Sequence, residues 1–295
     1  MHESIVSIRL VRIAMRLAEN VEVPMFIHRY LVGCIVWCLI TLFAGCATAP
    51  PATIPMNTLL YAEKGTQNRT LIVLLPGIRD QPGKYESQGF VGALRSRGLA
   101  ADLVAVNAHF GYYTSGSVVE RLKIDVVVPA KAQGYDKIWL VGISLGGLGS
   151  LLYSMHYPDD VEGILILGPY LGGRGLIEEI SEAGGLVSWQ PGDLSKQHRF
   201  RALWAWLKNY DKNSKGLPPL YLGYGHWDKF ATAHSILAAM LPPERVYVTP
   251  GWHNWRTWKK LWDKALDEEI LIQATSRSCA WLPLNGRAEL HSRAR

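Results

Sequence analysis

Gly142-Ile143-Ser144-Leu145-Gly146 is the stretch on which the reading of this sequence turns. It fits the pattern G-x-S-x-G and stands between segments of different periodicity. Residues 137–141 form a short apolar strand candidate, and residues 147–155 have the composition and spacing of a helix. A strand that turns sharply into a helix holds the serine between them on a strained corner with its hydroxyl exposed. Glycine on either side lets the two backbones pass at close range. Short glycine patterns also arise by chance, so the weight of this one depends on its surroundings.

Those surroundings repeat the same alternation. Residues 70–75 are continuously apolar and end at Pro76-Gly77, the mark of a strand buried on both faces. Further strands are expected at 101–106, 161–167, 217–223 and 245–249. Helical patterns lie at 90–97, with Gly98 as a stop, and at 118–133, interrupted at Pro129. Strands alternating with helices indicate an α/β fold with a mostly parallel sheet and helices on both faces. The rhythm breaks over about 170–216, where glycine clusters precede an aromatic-rich helical pattern at 201–208. We read this stretch as a helical cap insertion within one domain spanning 58–274. There is no internal repeat.

The chain has 295 residues, 48% hydrophobic and 19% charged, the profile of a globular protein. Its formal charge of +6 is concentrated at the ends. Residues 1–45 hold four arginines and three glutamates, and residues 275–295 four arginines and one glutamate. The middle is therefore left with only about +2, no footprint for nucleic acid. The tail 275–295 has no clear periodicity and is assigned no role. Cys34, Cys38, Cys46 and Cys279 form neither a disulfide framework nor a metal site.

Ser144 needs a base to take its proton and a carboxylate to hold that base. The strand at 220–223 leads to Gly225-His226-Trp227-Asp228, and the strand at 246–249 leads to Pro250-Gly251-Trp252-His253-Asn254-Trp255. In an open α/β sheet such carboxyl-end loops face one crevice, so Asp228 and His253 converge on Ser144. Asp193 and Asp211 are weaker acid candidates, since neither follows a clear strand. His109 precedes the serine, and His226 shares its loop with Asp228. The plain alternatives are helix N-caps at Ser144 and Asp228. Trp255, Trp258 and Trp262 recur at helical spacing and read as core, while Trp204, Trp206 and Trp227 flank the site and are candidates for a pocket wall.

With these pieces in place, residues 70–266 resemble an α/β-hydrolase of the esterase and lipase type. The matching segments are Pro76-Gly77, Gly142 through Gly146, the loop at 223–228 and Gly251-Trp252-His253-Asn254-Trp255. The resemblance implies a serine hydrolase that cleaves carboxylic esters through an acyl-enzyme, acting on a small-molecule or lipid ester. Ser144 would be the nucleophile, Asp228 the orienting acid and His253 the base. The backbone N–H groups of Ile78 and Leu145 would form the oxyanion hole, and no metal or cofactor would be required. Pro76 stands where many members carry a histidine that is no part of the triad. Acyl transfer, thioester cleavage and peptide cleavage use the same apparatus. A tethered binding protein with a hydrolase-like pocket is the non-enzymatic alternative.

The amino terminus carries an address. His28-Arg29 precede an uncharged apolar run at 30–44, short for a membrane span. It ends Leu42-Phe43-Ala44-Gly45-Cys46, which resembles a bacterial lipobox. The resemblance implies cleavage before Cys46, lipidation of that cysteine and an envelope location on a membrane anchor. The alternatives are an uncleaved anchor or an ordinary secretory signal. Residues 1–24 are accounted for most simply by a start at Met25. Residues 46–57, rich in Pro, Ala and Thr, read as a tether.

Overall fold

The computed structural model describes residues 50–63, 65–194, 199–210 and 216–273. The amino-terminal address with Cys46, the tail 275–295 and Asp211 lie outside the described residues. Seven strands form one sheet: β1 (Thr58–Tyr61), β2 (Thr70–Leu75), β3 (Asp102–Val106), β4 (Lys137–Ile143), β5 (Gly163–Leu167), β6 (Leu220–Gly225) and β7 (Val246–Thr249). Their spatial order is β1-β3-β2-β4-β5-β6-β7. All neighbours pair in parallel except β1, which runs antiparallel to β3 along one edge. The principal helices are α1 (Phe90–Ser96), α2 (Val118–Leu122), α3 (Val128–Ala132), α4 (Leu145–His156), α5 (Arg174–Glu182), α6 (Arg199–Leu207), α7 (Ala231–Ala238) and α8 (Trp255–Asp267).

The continuous apolar runs make sense once the sheet is covered on both sides. Alternate residues of a strand point to opposite faces. Leu71, Val73 and Leu75 join Leu140 and Ile166 in a core closed by α2 through α7. Ile72 and Leu74 join Val141, Leu165 and Leu167 in a second core closed by α1 and α8. On that second face the indole of Trp262 is fully buried and stacks on Phe90 at 5.2 Å. Its N–H donates to the Phe90 carbonyl, so the buried polar atom is satisfied.

The structure departs from the sequence reading in several places. Pro129 does not break its helix. A π-helical turn at Lys123–Val127 precedes it and carries the chain from α2 into α3 without the clash a proline makes in a regular helix. Helix α5 lies in the glycine-rich stretch, hidden in the sequence by Gly172-Gly173 and Gly184-Gly185 at its ends, although Ile177 and Ile180 are buried at helical spacing. Strand β1, short and mostly exposed, has no apolar alternation to announce it. The expected tether is docked over its second half. Tyr112 Oη donates to the Thr53 carbonyl, the Met56 N–H donates to Asp125, and the Met56 side chain is buried. Among the described residues no helix is long and apolar enough to cross a membrane.

The turn from β4 into α4 is a tight crossing. A Cβ added at Gly142 would lie 2.3 Å from the Gly146 carbonyl oxygen, and one added at Gly146 would lie 1.9 Å from that of Leu75. Backbone atoms cannot yield as a side chain does. Gly146→Ala is expected to destabilise the protein by about 3 kcal/mol or more, read from the denaturant midpoint. Gly92→Ala, at a helical position with nothing within 4 Å, should be neutral or slightly stabilising.

Candidate active site

Ser144 occupies the corner at φ 51°, ψ −110°, a left-handed backbone that a residue with a Cβ rarely adopts. Such strain persists only where neighbouring structure over-determines it. Here the Ser144 N–H donates to the Leu167 carbonyl at 3.1 Å, and the Ser144 carbonyl accepts from Tyr170 N–H at 2.9 Å. The same carbonyl accepts from Gly147, in the first turn of α4, at 3.1 Å. The turn after β5 and the start of α4 thus clamp the serine from two sides.

The loops after β6 and β7 deliver the other two groups. His253 Nε2 lies 2.9 Å from Ser144 Oγ, and His253 Nδ1 lies 2.8 Å from Asp228 Oδ2. A carboxylate only accepts, so Nδ1 carries the ring hydrogen and Nε2 is left to accept from the serine hydroxyl. The imidazole is held edge-on between Phe230, at 5.1 Å, and Trp258, at 5.0 Å. The Asp228 side chain is fully buried. Burial acts to raise its pKa, but the hydrogen bonds from His253 and from the Phe230 N–H, with the nearby imidazoles, outweigh it and hold the carboxyl below its usual range. The bond from the Phe230 N–H ties Asp228 to the turn ahead of α7, while the helix itself has Phe230 at its N-cap and no side-chain cap.

Ile78 and Leu145 both border the cavity above Ser144. Leu145 is the first residue of α4, where the backbone N–H has no preceding helical carbonyl to meet. The cavity measures about 390 Å³ and is lined by Gly77, Phe110, Tyr170, Lys229, Phe230 and Trp258 among others. Phe110, Leu145 and Tyr170 also line a neighbouring cavity of about 670 Å³ that extends beneath the cap past Phe200. Asp80 lies on the same wall, where burial raises its pKa although Trp255 donates to it at 3.2 Å. Among the described residues no group of three or more side chains has the arrangement of a metal site.

Other candidates fall elsewhere. Trp204, Trp206 and Trp227 line neither cavity. Trp204 is fully buried and donates to the Leu171 carbonyl, which makes it an anchor for the cap. Trp206 packs edge-on against Tyr210, and Trp227 is half exposed beside Trp252. Of the core stripe, Trp258 and Trp262 are buried as expected. His109 accepts from Gly111 N–H as the cap of a short helix, and His226 and Asp193 are exposed. The residues that do wall the site, Phe110, Tyr170 and Phe230, were identifiable only by position. Each follows the carboxyl end of a strand.

His234, on α7, was also missed. It is fully buried, its Nε2 lies 2.9 Å from the Pro169 carbonyl oxygen, and burial pushes its pKa down to about 4 against the pull of Asp228.

No family model matches the sequence, and no curated protein matches it. Solved structures match at low identity. A ferulic acid esterase aligns with TM-score 0.53 and 14% identity, over 72% of this chain and 87% of its own. The S-formylglutathione hydrolase FrmB from Staphylococcus aureus gives 0.48 and 14%, over 75% and 99%. MGS-MChE2, an alpha/beta hydrolase enzyme from a lagoon-sediment metagenome, gives 0.47 and 16%, over 75% and 99%. The sheet order, the flanking helices and the ferulic acid esterase match identify the architecture as the α/β-hydrolase fold.

The pKa of His234 has a consequence for acid stability. An unfolded histidine takes up its proton near pH 6.5, whereas folded His234 resists it down to about pH 4. The unfolded chain therefore binds more protons between those values, and stability falls as pH drops through that window. His234→Gln should remove a pH-dependent loss on the order of 3 kcal/mol, seen as a flatter decline in melting temperature between pH 6.5 and 4.

Proposed function

We propose that this chain is a serine hydrolase that cleaves carboxylic esters through an acyl-enzyme. The observation that carries the reading is the single line of hydrogen bonds from Ser144 through His253 to the buried Asp228. Ser144 Oγ attacks the ester carbonyl while His253 Nε2 takes its proton. Asp228 keeps the imidazole in the required tautomer and stabilises the imidazolium that forms. The tetrahedral oxyanion is received by the Ile78 and Leu145 N–H groups, a contribution of about 3 kcal/mol per donor. His253 then gives its proton to the departing alkoxide. Water, deprotonated by the same nitrogen, attacks the acyl-enzyme, and collapse returns the proton to Ser144 and frees the acid.

The aromatic walls around Ser144 support an apolar acyl or alcohol group. The second cavity offers room for a substrate larger than a short ester. The lipobox-like segment supports a lipid anchor at Cys46 and a site of action at the cell envelope, where lipid esters are present.

Ser144→Ala should abolish both hydrolysis of p-nitrophenyl acetate and labelling by a fluorophosphonate probe. Asp228→Asn should lower kcat by about 10²–10⁴ while retaining the fold. Labelling that persists in the Ser144→Ala protein would exclude Ser144 as nucleophile. Glycerol added as a competing acceptor should yield less acyl-glycerol than free acid, and the reverse ratio would make the chain an acyltransferase. Expressed in bacteria, the chain should incorporate labelled palmitate, and Cys46→Ala should not.

A further inference from the structure

We propose that His234 is a positioning residue for this reaction, holding the Gly168-Pro169-Tyr170 turn so that Ser144 stays aligned with His253 and Asp228. The proposal rests on the ester hydrolysis argued above. It starts from a side chain that the mechanism does not use. His234 is wholly enclosed, and its one side-chain hydrogen bond goes to the Pro169 carbonyl. Nδ1 has no partner among the described residues. A carbonyl only accepts, so Nε2 carries the hydrogen, and the suppressed basicity of the ring keeps it neutral in that tautomer.

The turn it grips touches every member of the hydrogen-bonded line. Tyr170 N–H donates to the Ser144 carbonyl. Pro169 packs against the start of α4 so closely that a Cβ on Gly147 would lie 2.8 Å from the proline ring. Gly168, at φ +54°, passes beneath the acid and base. A Cβ there would lie 3.0 Å from Asp228 Oδ2 and 3.4 Å from His253 Nδ1. Gly168 N–H in turn donates to the Gly223 carbonyl of β6, the strand that leads to Asp228. The turn is therefore a wedge between nucleophile and acid–base pair.

His234 reaches this wedge from the acid's own side of the site. It lies on α7, whose first turn is joined to Asp228 by the bonds from Ala231 N–H to the Asp228 carbonyl and from Phe230 N–H to Oδ1. The next turn places His234, with its N–H on the Phe230 carbonyl. Asp228 thus stands just ahead of this helix, and the grip on the wedge follows on the helix six residues further along. No other donor among the described residues reaches the Pro169 carbonyl. Neither His234 nor Pro169 lines the substrate cavity, so the grip reaches the site through the turn: a shift of the wedge alters the Ser144–His253 distance and moves a single wall residue, Tyr170.

The test compares His234→Phe, which keeps a ring and removes the donor, with His234→Gln, whose amide N–H reaches the same point. Both full-length proteins are assayed for kcat and KM on p-nitrophenyl acetate and for the rate of inactivation by a fluorophosphonate, with melting temperature as the check on folding. A misplacement of this kind lowers kcat by about 10- to 100-fold in His234→Phe, with a smaller change in KM from the displaced Tyr170. Inactivation should slow in parallel, and His234→Gln should recover to within about fivefold of wild type. Equal kinetics for the Phe variant and wild type overturn the proposal. So does a Gln variant as impaired as the Phe variant, which would reduce His234 to a packing residue. Full turnover in Ser144→Ala would instead remove the hydrolase reading and leave the hydrogen bond to Pro169 as it is.

Discussion

Three chain segments meet at Ser144 closer than side chains would permit, and the rest of the site follows from that crossing. The carbonyl of Leu75 at the end of β2, the body of Gly146 and the end of β4 occupy nearly the same space, with no room for a Cβ at either glycine of the motif. This crowding forces the strand-to-helix reversal into a single residue. It also explains why the serine adopts a positive φ that its chemistry alone would not select. The cost is met by hydrogen bonds from two directions rather than by any property of serine. A relaxed corner would fit a regular loop equally well and would leave Oγ free to turn away from His253.

The sheet was legible because its strands are buried on both faces and appear as continuous apolar runs. The central strands β2, β4 and β5 were located to within two residues on that signal alone. The edges were less legible. Strand β1 buries almost nothing, so its sequence obeys no pattern that a core imposes. The cap helix α5 was obscured because glycines at both of its ends suggest irregular chain, while the Ile177 and Ile180 spacing within it spans only one turn. Pro129 misled for a different reason. A proline forbids the regular helix, but one wide turn ahead of it satisfies the same constraint.

At the site, Ser144, Asp228 and His253 were recognisable because each sits one step beyond a strand, where sheet topology sends every loop to the same crevice. The residues around them are set by contacts that sequence does not encode locally. Trp204 and Phe230 are both aromatic and both near the site in the chain, yet one is sealed in the core and the other touches the imidazole. Their fates depend on which way α6 and α7 face, a matter of tertiary packing. His234 belongs to the same class. Its spacing from Asp228 is plain in the sequence, but the carbonyl it meets comes from a turn 65 residues earlier.

The order of the strands also has a mechanical consequence. Ser144 hangs from β4, which is paired on both sides, whereas His253 hangs from β7, four residues long and outermost in the described sheet. Outer strands open at lower free energy than central ones. Ser144 and His253 are therefore fastened to parts of the molecule with different local stabilities. On heating or in mild denaturant His253 would lose its place before Ser144 does. The line of hydrogen bonds from Ser144 to Asp228 would then break while the central strands are still paired.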